Sequence, residues 1–242
     1  MKEAKFSDEL IQTWLGDGHS IKQYYSKLII NQGITSAKSI GERNEQRNFS
    51  FFDKLFEKIP IWSDCSILDV GCGKGELISY LSLRFPDINS YNYLAIDIVP
   101  AFISSAQQKS NTKKFQLINF IDPSFSPNRK FDIVLALGVL VTRVQYYDLF
   151  VEYFVKKMVK YANKYVLFNL ISYIDPSSPN YSDPNRVGHS TVLSTDTLYS
   201  IMKNIHCYDC KMEPYNIFPD ATDLFVQIKL EHCVRNSCFF GY

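Results

Sequence analysis

Asp69-Val70-Gly71-Cys72-Gly73-Lys74-Gly75 places one carboxylate and three glycines at alternate positions, at the end of the apolar run that begins at Ile67. The run reads as a buried strand, and Glu76 to Phe85 as the helix that follows it. Glycines in such a turn remove side chains where a ligand meets the backbone. The helix start leaves N–H groups without intrahelical partners. Together they form a nucleotide-binding device. A phosphate-cradling loop needs Gly-Lys followed by Ser or Thr, whereas Lys74 precedes Gly75 here. A dinucleotide turn needs a third glycine where Glu76 stands, and a carboxylate at that point would repel a pyrophosphate.

S-adenosylmethionine is the remaining candidate. It has no phosphate, and its ammonium, sulfonium and ribose diol all suit carboxylates. The pattern Asp-x-Gly-x-Gly-x-Gly resembles motif I of the class I S-adenosylmethionine-dependent methyltransferases and matches it at every defined position. The resemblance implies that Asp69, Gly71, Cys72, Gly73 and Gly75 hold this cofactor. The next strand ends in Leu94-Ala95-Ile96-Asp97-Ile98. A carboxylate there offers two oxygens to two ribose hydroxyls, and in the family this position binds the ribose. Asp97 alone would equally suit NAD, which keeps a nicotinamide-dependent oxidoreductase in view. Ile98 is expected beside the adenine. Family members often end the third strand on an Asp that bonds the adenine amino group. This sequence has Asn119, with Asp122 shortly after, and either reaches that edge; Phe120 would pack on the ring. The end of the fourth strand, Ala136, Leu137 and Gly138, is expected beside the methionine portion. Tyr24-Tyr25, Gly33 and Gln46-Arg47-Asn48-Phe49 resemble a bacterial small-molecule subgroup of the family, with Arg47 directed at the cofactor carboxylate or an anionic substrate group.

Methyl transfer to oxygen also needs a base within hydrogen-bond reach. His189 is the first candidate, since imidazole titrates near neutrality. Tyr173 is the second, with Asp175, Tyr181 and His19 behind. No Asn-Pro-Pro-Tyr segment follows the fourth strand, which disfavours DNA-adenine and protein-glutamine methylation. An aromatic share of 15% suits a closed small-molecule pocket. The reading is O-methylation of a sugar, sugar nucleotide or similar metabolite. N-methylation of a small amine and non-catalytic S-adenosylmethionine binding are the alternatives.

These residues need a sheet to position them. The chain of 242 residues is 46% hydrophobic, enough for one sizeable core. From Ile61 onward strand-like and helix-like segments alternate, which predicts an α/β fold with a mostly parallel sheet and helices on both faces. Strands are expected at 66–70, 91–97, 115–120, 131–137, 164–170, 207–212 and 223–230. A loop rich in Pro, Ser and Asn is expected from Ser172 to His189. The family resemblance implies a Rossmann-like, seven-stranded sheet with its last strand antiparallel. Residues 1–60 read as a helical cap over the active site, divided by Gly16, Gly18 and Gly33, and 61–242 as the methyltransferase domain. A net charge of +1 gives no footprint for nucleic acid. The polar start and the lack of a long apolar run predict a cytoplasmic protein without a signal peptide or membrane span. The 6 cysteines read as reduced thiols. Cys207-x-x-Cys210 has no second pair to complete a metal site, so no metal is expected.

Overall fold

The computed structural model describes residues 6–40, 45–57, 59, 65–84, 92–109, 115–181 and 183–230, without the side chains of 45–50 and 217. Seven strands form one sheet: β1 (Ile67–Val70), β2 (Tyr93–Asp97), β3 (Phe115–Leu117), β4 (Phe131–Ala136), β5 (Ala162–Ile174), β6 (Asp209–Phe218) and β7 (Ala221–Lys229). Their order is β3-β2-β1-β4-β5-β7-β6. All pairings from β3 to β5 are parallel, and β7 runs antiparallel to both β5 and β6. This is the expected Rossmann-like arrangement, with only the last strand reversed.

Alternating side chains feed two cores. Leu68, Val70, Val134 and Ala136 face one cluster, while Ile67, Ile133 and Leu135 face the other. A strand covered on both faces reads as a continuous apolar run, which is why β1 and β4 stand out in the sequence. Helices α1 (Asp8–Gln32), α2 (Glu45–Phe56), α3 (Glu76–Arg84), α4 (Pro100–Lys109), α5 (Tyr147–Tyr161) and α6 (Thr195–Met202), with a short 3-10 helix at Ala37–Ile40, surround the sheet. Among the described residues no helix is long and apolar enough to cross a membrane.

Gly16 and Gly18 do not divide α1, which runs unbroken from its Ser7 cap to Gly33. Tertiary anchoring offsets their poor helix propensity. Trp14, 1% exposed, packs against Phe150 and Tyr153 with ring centroids 5.4 Å away in each case, and its indole N–H donates to the Gln145 carbonyl at 2.8 Å. Asp17 accepts from the Gln145 backbone N–H at 2.7 Å and from its side-chain amide at 2.9 Å. A Cβ on Gly18 would lie 2.9 Å from Asn119 Nδ2, so glycine there lets the helix approach the sheet end. The N-terminal helix therefore shares the main core.

Three strand bounds differ from expectation for identifiable reasons. β3 stops at Leu117 because the Asn119 side chain accepts from the Ile121 N–H at 3.2 Å and turns the chain. β5 continues to Ile174 because β7 pairs with it that far. β6 runs through Pro214, which pairs with Leu224, because it is an edge strand with no partner on its other side to need the missing N–H. The loop after β5 is held by the β6–β7 turn: Asp220 accepts from Ser178 Oγ at 2.6 Å and Asn180 Nδ2 at 2.8 Å. Its other end is stitched to the β4–α5 loop through Arg143 N–H to the His189 carbonyl, at 2.8 Å.

Candidate functional site

A cavity of about 420 Å³ lies at the carboxyl ends of β1 to β5. Open parallel sheets bind ligands at that edge. Its floor is the glycine turn. Gly71, Gly73 and Gly75 have φ of 74°, 54° and 79°, conformations that side-chain-bearing residues rarely adopt. Gly71 and Cys72 N–H both donate to the Ile96 carbonyl, at 2.8 and 3.1 Å, which fixes the turn on β2. A Cβ on Gly71 would meet Val139 Cγ2 at 2.3 Å. Lys74 turns away from the cavity. Its Nζ donates to the Ser36 carbonyl at 3.0 Å and lies 3.6 Å from Glu76 Oε1.

Two acids sit above this floor. Asp97 accepts from the Gly73 N–H at 3.0 Å and the Val99 N–H at 2.8 Å, one to each carboxylate oxygen. Burial pushes its pKa up to about 6 against the pull of those amides. Asp69 is buried and accepts from the Tyr93 hydroxyl. Burial pushes its pKa up to about 7, opposed by that hydroxyl and reinforced by the charges of Asp97 and Glu76.

The cavity brings together Asp69, Gly71, Cys72, Gly73, Asp97, Ile98, Asn119, Phe120, Leu137, Gly138 and His189. Tyr181 lines it too, whereas His19 faces a smaller neighbouring cleft with Lys22 and Leu117. Of the adenine-edge candidates, Asn119 lines the wall. Asp122 does not, because its carboxylate accepts from the Ser124 N–H and hydroxyl at 2.8 and 2.7 Å.

Three expected residues are not in the lining. Gly75 instead packs the turn against Phe115 and Ala106, which a Cβ would meet at 3.2 and 3.3 Å. Ala136 is fully buried in the core below the strand end. Tyr173, on the β5 extension, is 54% exposed, and Asp175 is spent on a local turn with Ser177. The side chain of Arg47 lies outside the described residues.

Sequence reasoning missed the far wall. The Gly138 N–H donates to Asn169 Oδ1 at 2.8 Å, and Asn169 Nδ2 donates to Asp223 Oδ1 at 2.9 Å. Burial pushes the Asp223 pKa up to about 6. Its signal in the sequence was an acid abutting the apolar stretch of Thr222-Asp223-Leu224-Phe225-Val226, a costly place for a charge. The described lining thus carries Asp69, Glu76, Asp97 and Asp223 and neither Lys nor Arg. Cys207 and Cys210 lie elsewhere, at the start of β6. Burial raises both thiols, Cys210 to about 11. Among the described residues no cluster of three or more His, Cys, Asp or Glu is placed to hold a metal ion.

Residues 68–155 match a family model described as a methyltransferase domain. The chain is 28% identical over 87 residues to a trans-aconitate 2-methyltransferase of Methylobacterium radiotolerans, spanning 36% of this chain and only 32% of that one. Among solved structures it resembles a Haemonchus contortus phosphoethanolamine N-methyltransferase in complex with phosphomonomethylethanolamine and S-adenosylhomocysteine. That match has a TM-score of 0.65 and 11% identity, covering 88% of this chain and 60% of the other. It also resembles the magnesium protoporphyrin IX methyltransferase of Synechocystis with bound S-adenosylmethionine, with a TM-score of 0.55 and 14% identity over 89% and 97% of the chains. At such identities the likeness is one of fold, and it agrees with the strand order, the reversed last strand and the glycine turn. Residues 68–155 thus match a methyltransferase domain, and the chain is similar in fold to S-adenosylmethionine-dependent methyltransferases.

Proposed function

We propose that this protein binds S-adenosylmethionine in the cavity above the glycine turn and transfers its methyl group to a small molecule. The observation that carries the reading is a buried wall of carboxylates on a glycine turn with no Lys or Arg in the described lining. Such a wall repels phosphates and suits a ligand with cationic groups and a ribose. When bound, S-adenosylmethionine supplies a methyl group already activated on a sulfonium sulfur. The protein therefore mainly contributes alignment and a dry site.

In this reading Asp97 accepts the ribose hydroxyls on the lone pairs its backbone donors leave open. Asp69 and Glu76 face the ammonium. Asn119 meets the adenine edge, with Ile98 and Phe120 along the ring. Leu137 and Gly138 border the methionine portion. Residues 1–60 serve as the cover, since Trp14, Tyr24, Phe51 and Phe52 line the same cavity, and 61–242 as the methyltransferase domain. His189 takes the proton of the acceptor. It lines the cavity, its ring centroid lies 5.4 Å from that of Tyr24, and burial with the nearby Arg186 charge holds the imidazole below its ordinary pKa, hence neutral near pH 7. The acceptor carries a hydroxyl or an amine. A sugar hydroxyl needs no counter-charge, whereas the phosphates of a sugar nucleotide find no cation in the described lining.

Isothermal titration with S-adenosylhomocysteine and NADH, followed by an assay of S-adenosylhomocysteine formation over sugars and amines, tests the reading. Binding of NADH alone would sink it, and binding without turnover of any acceptor would leave only the non-catalytic alternative. Affinity for S-adenosylhomocysteine should fall about tenfold or more from pH 8 to pH 5. Asp69 and Asp97 must be ionised to hold an ammonium and a diol, and they take up protons near pH 7 and 6. In His189→Ala, kcat should fall roughly 10²-fold at saturating acceptor with donor affinity unchanged, as for loss of a general base. A kcat within a few-fold of wild type removes His189 from that role.

A further inference from the structure

We propose that Asp223, with the rings of Phe51 and Phe218, forms the acceptor subsite of this cavity, and that the subsite takes a small organic amine. The inference rests on the methyl-transfer reading above and narrows its acceptor.

Asp223 is the third residue of β7, whose start lies beside the carboxyl end of β5 through the Ile174–Ala221 pair. It therefore stands at the edge of the sheet where the donor cavity opens, and it lines that cavity. It is 5% exposed. One oxygen is accounted for. The Gly138 N–H can only donate, so it fixes Asn169 Oδ1 toward itself and turns the Asn169 amide nitrogen toward Asp223 Oδ1. No described side chain or amide donates to Oδ2. An ionised carboxylate in a largely apolar wall with one neutral donor lacks a counter-charge, and the described lining supplies no Lys or Arg. In this proposal a ligand supplies the positive group.

The donor's ammonium does not supply it. Asp69 and Glu76 face that group on β1 and the start of α3 in the reading above, whereas Asp223 reaches the cavity from β7, three strands along the sheet, past β4 and β5. The surroundings are aromatic. Successive residues of a strand alternate faces, so Asp223 and Phe225 share one face of β7. The Phe51 ring lies 4.5 Å from Phe225, centroid to centroid, and Phe51 and Phe218, at the end of β6, line the same cavity as Asp223. Ring faces attract cations, and a buried carboxylate in a cavity that aromatic rings also line suits an ammonium or an amine N–H. Among the described residues it offers no cation to a carboxylate or phosphate acceptor. The Gly138–Asn169–Asp223 chain also ties this subsite to the strand end that would border the methionine portion in the reading above.

Three probes of one shape and different charge test this: benzylamine, benzyl alcohol and benzoate, titrated into the protein saturated with S-adenosylhomocysteine. Benzylamine should bind at least tenfold more tightly than benzyl alcohol, with benzoate the weakest. Asp223→Asn keeps the volume and the bond to Asn169. It should lose at least tenfold in benzylamine affinity while its S-adenosylhomocysteine affinity stays within threefold. Phe51→Leu should weaken benzylamine more than benzyl alcohol. The proposal is overturned if the amine shows no preference over the alcohol, or if Asp223→Asn binds it as wild type does. Loss of S-adenosylhomocysteine binding in Asp223→Asn would also overturn it, because Asp223 would then belong to the donor's site. The three-probe order in the wild type decides the matter should the variant fail to fold. Failure of the wild type to bind S-adenosylhomocysteine at all is a different result and strikes the donor reading instead.

Discussion

Asp97→Ala should weaken S-adenosylhomocysteine binding at least about a hundredfold in calorimetric titration. Each hydrogen bond to a charged group contributes about 1.5–3 kcal/mol, and the proposal gives this carboxylate two ribose hydroxyls. The substitution also leaves the Gly73 and Val99 N–H groups without their acceptor. Gly73 belongs to the turn itself, so the loss extends to the shape of the floor. Asp97→Asn should fall between, because its amide nitrogen must face one of two N–H donors. Retention of wild-type affinity in Asp97→Ala would rule out the ribose role.

Trp14→Ala should have the second large effect, on stability. Removing a fully buried tryptophan costs about 3–5 kcal/mol. For a domain of this size that lowers Tm by roughly 10 °C in differential scanning calorimetry. The indole also donates to the Gln145 carbonyl, which sits just ahead of α5 beside the residue Tyr146 in a left-handed conformation. Donor affinity should therefore fall along with Tm, because Trp14 lines the cavity as well as the core. A variant that melts as wild type does would show that α1 is not part of the folded core.

The sheet was legible because β1 and β4 are buried on both faces and carry unbroken apolar runs between helical stretches. Asp69 and Asp97 were legible for a related reason, since each is an acid ending such a run. Other features depended on distant contacts. Gly16 and Gly18 look like helix breakers until Asp17 and Trp14 are seen gripping Gln145. Pro214 looks like a strand terminator until β6 is seen to be an edge. Asn119 and Asp122 could not be separated by spacing, because what divides them is which side chain is consumed by its own turn. Tyr173 suits a base only if β5 ends at Leu170, and four further residues of strand carry it out of the lining. Asp223 went unnoticed as a site residue because its meaning comes from Asn169, 54 positions earlier.

Trp14 stands at once in the wall of the cavity and in the hydrophobic core, in the second turn of a helix that runs without a joint from Asp8 to Gln32. If α1 covers the site, it has no joint within Asp8–Gln32 at which to bend clear. Moving α1 away from the chamber would mean withdrawing Trp14 from the interior, so a ligand that entered along that path would do so through a partial unfolding event. On that path residence time at the site would follow the same interactions that keep the protein folded, and a gentle denaturant would act on this molecule as a release factor.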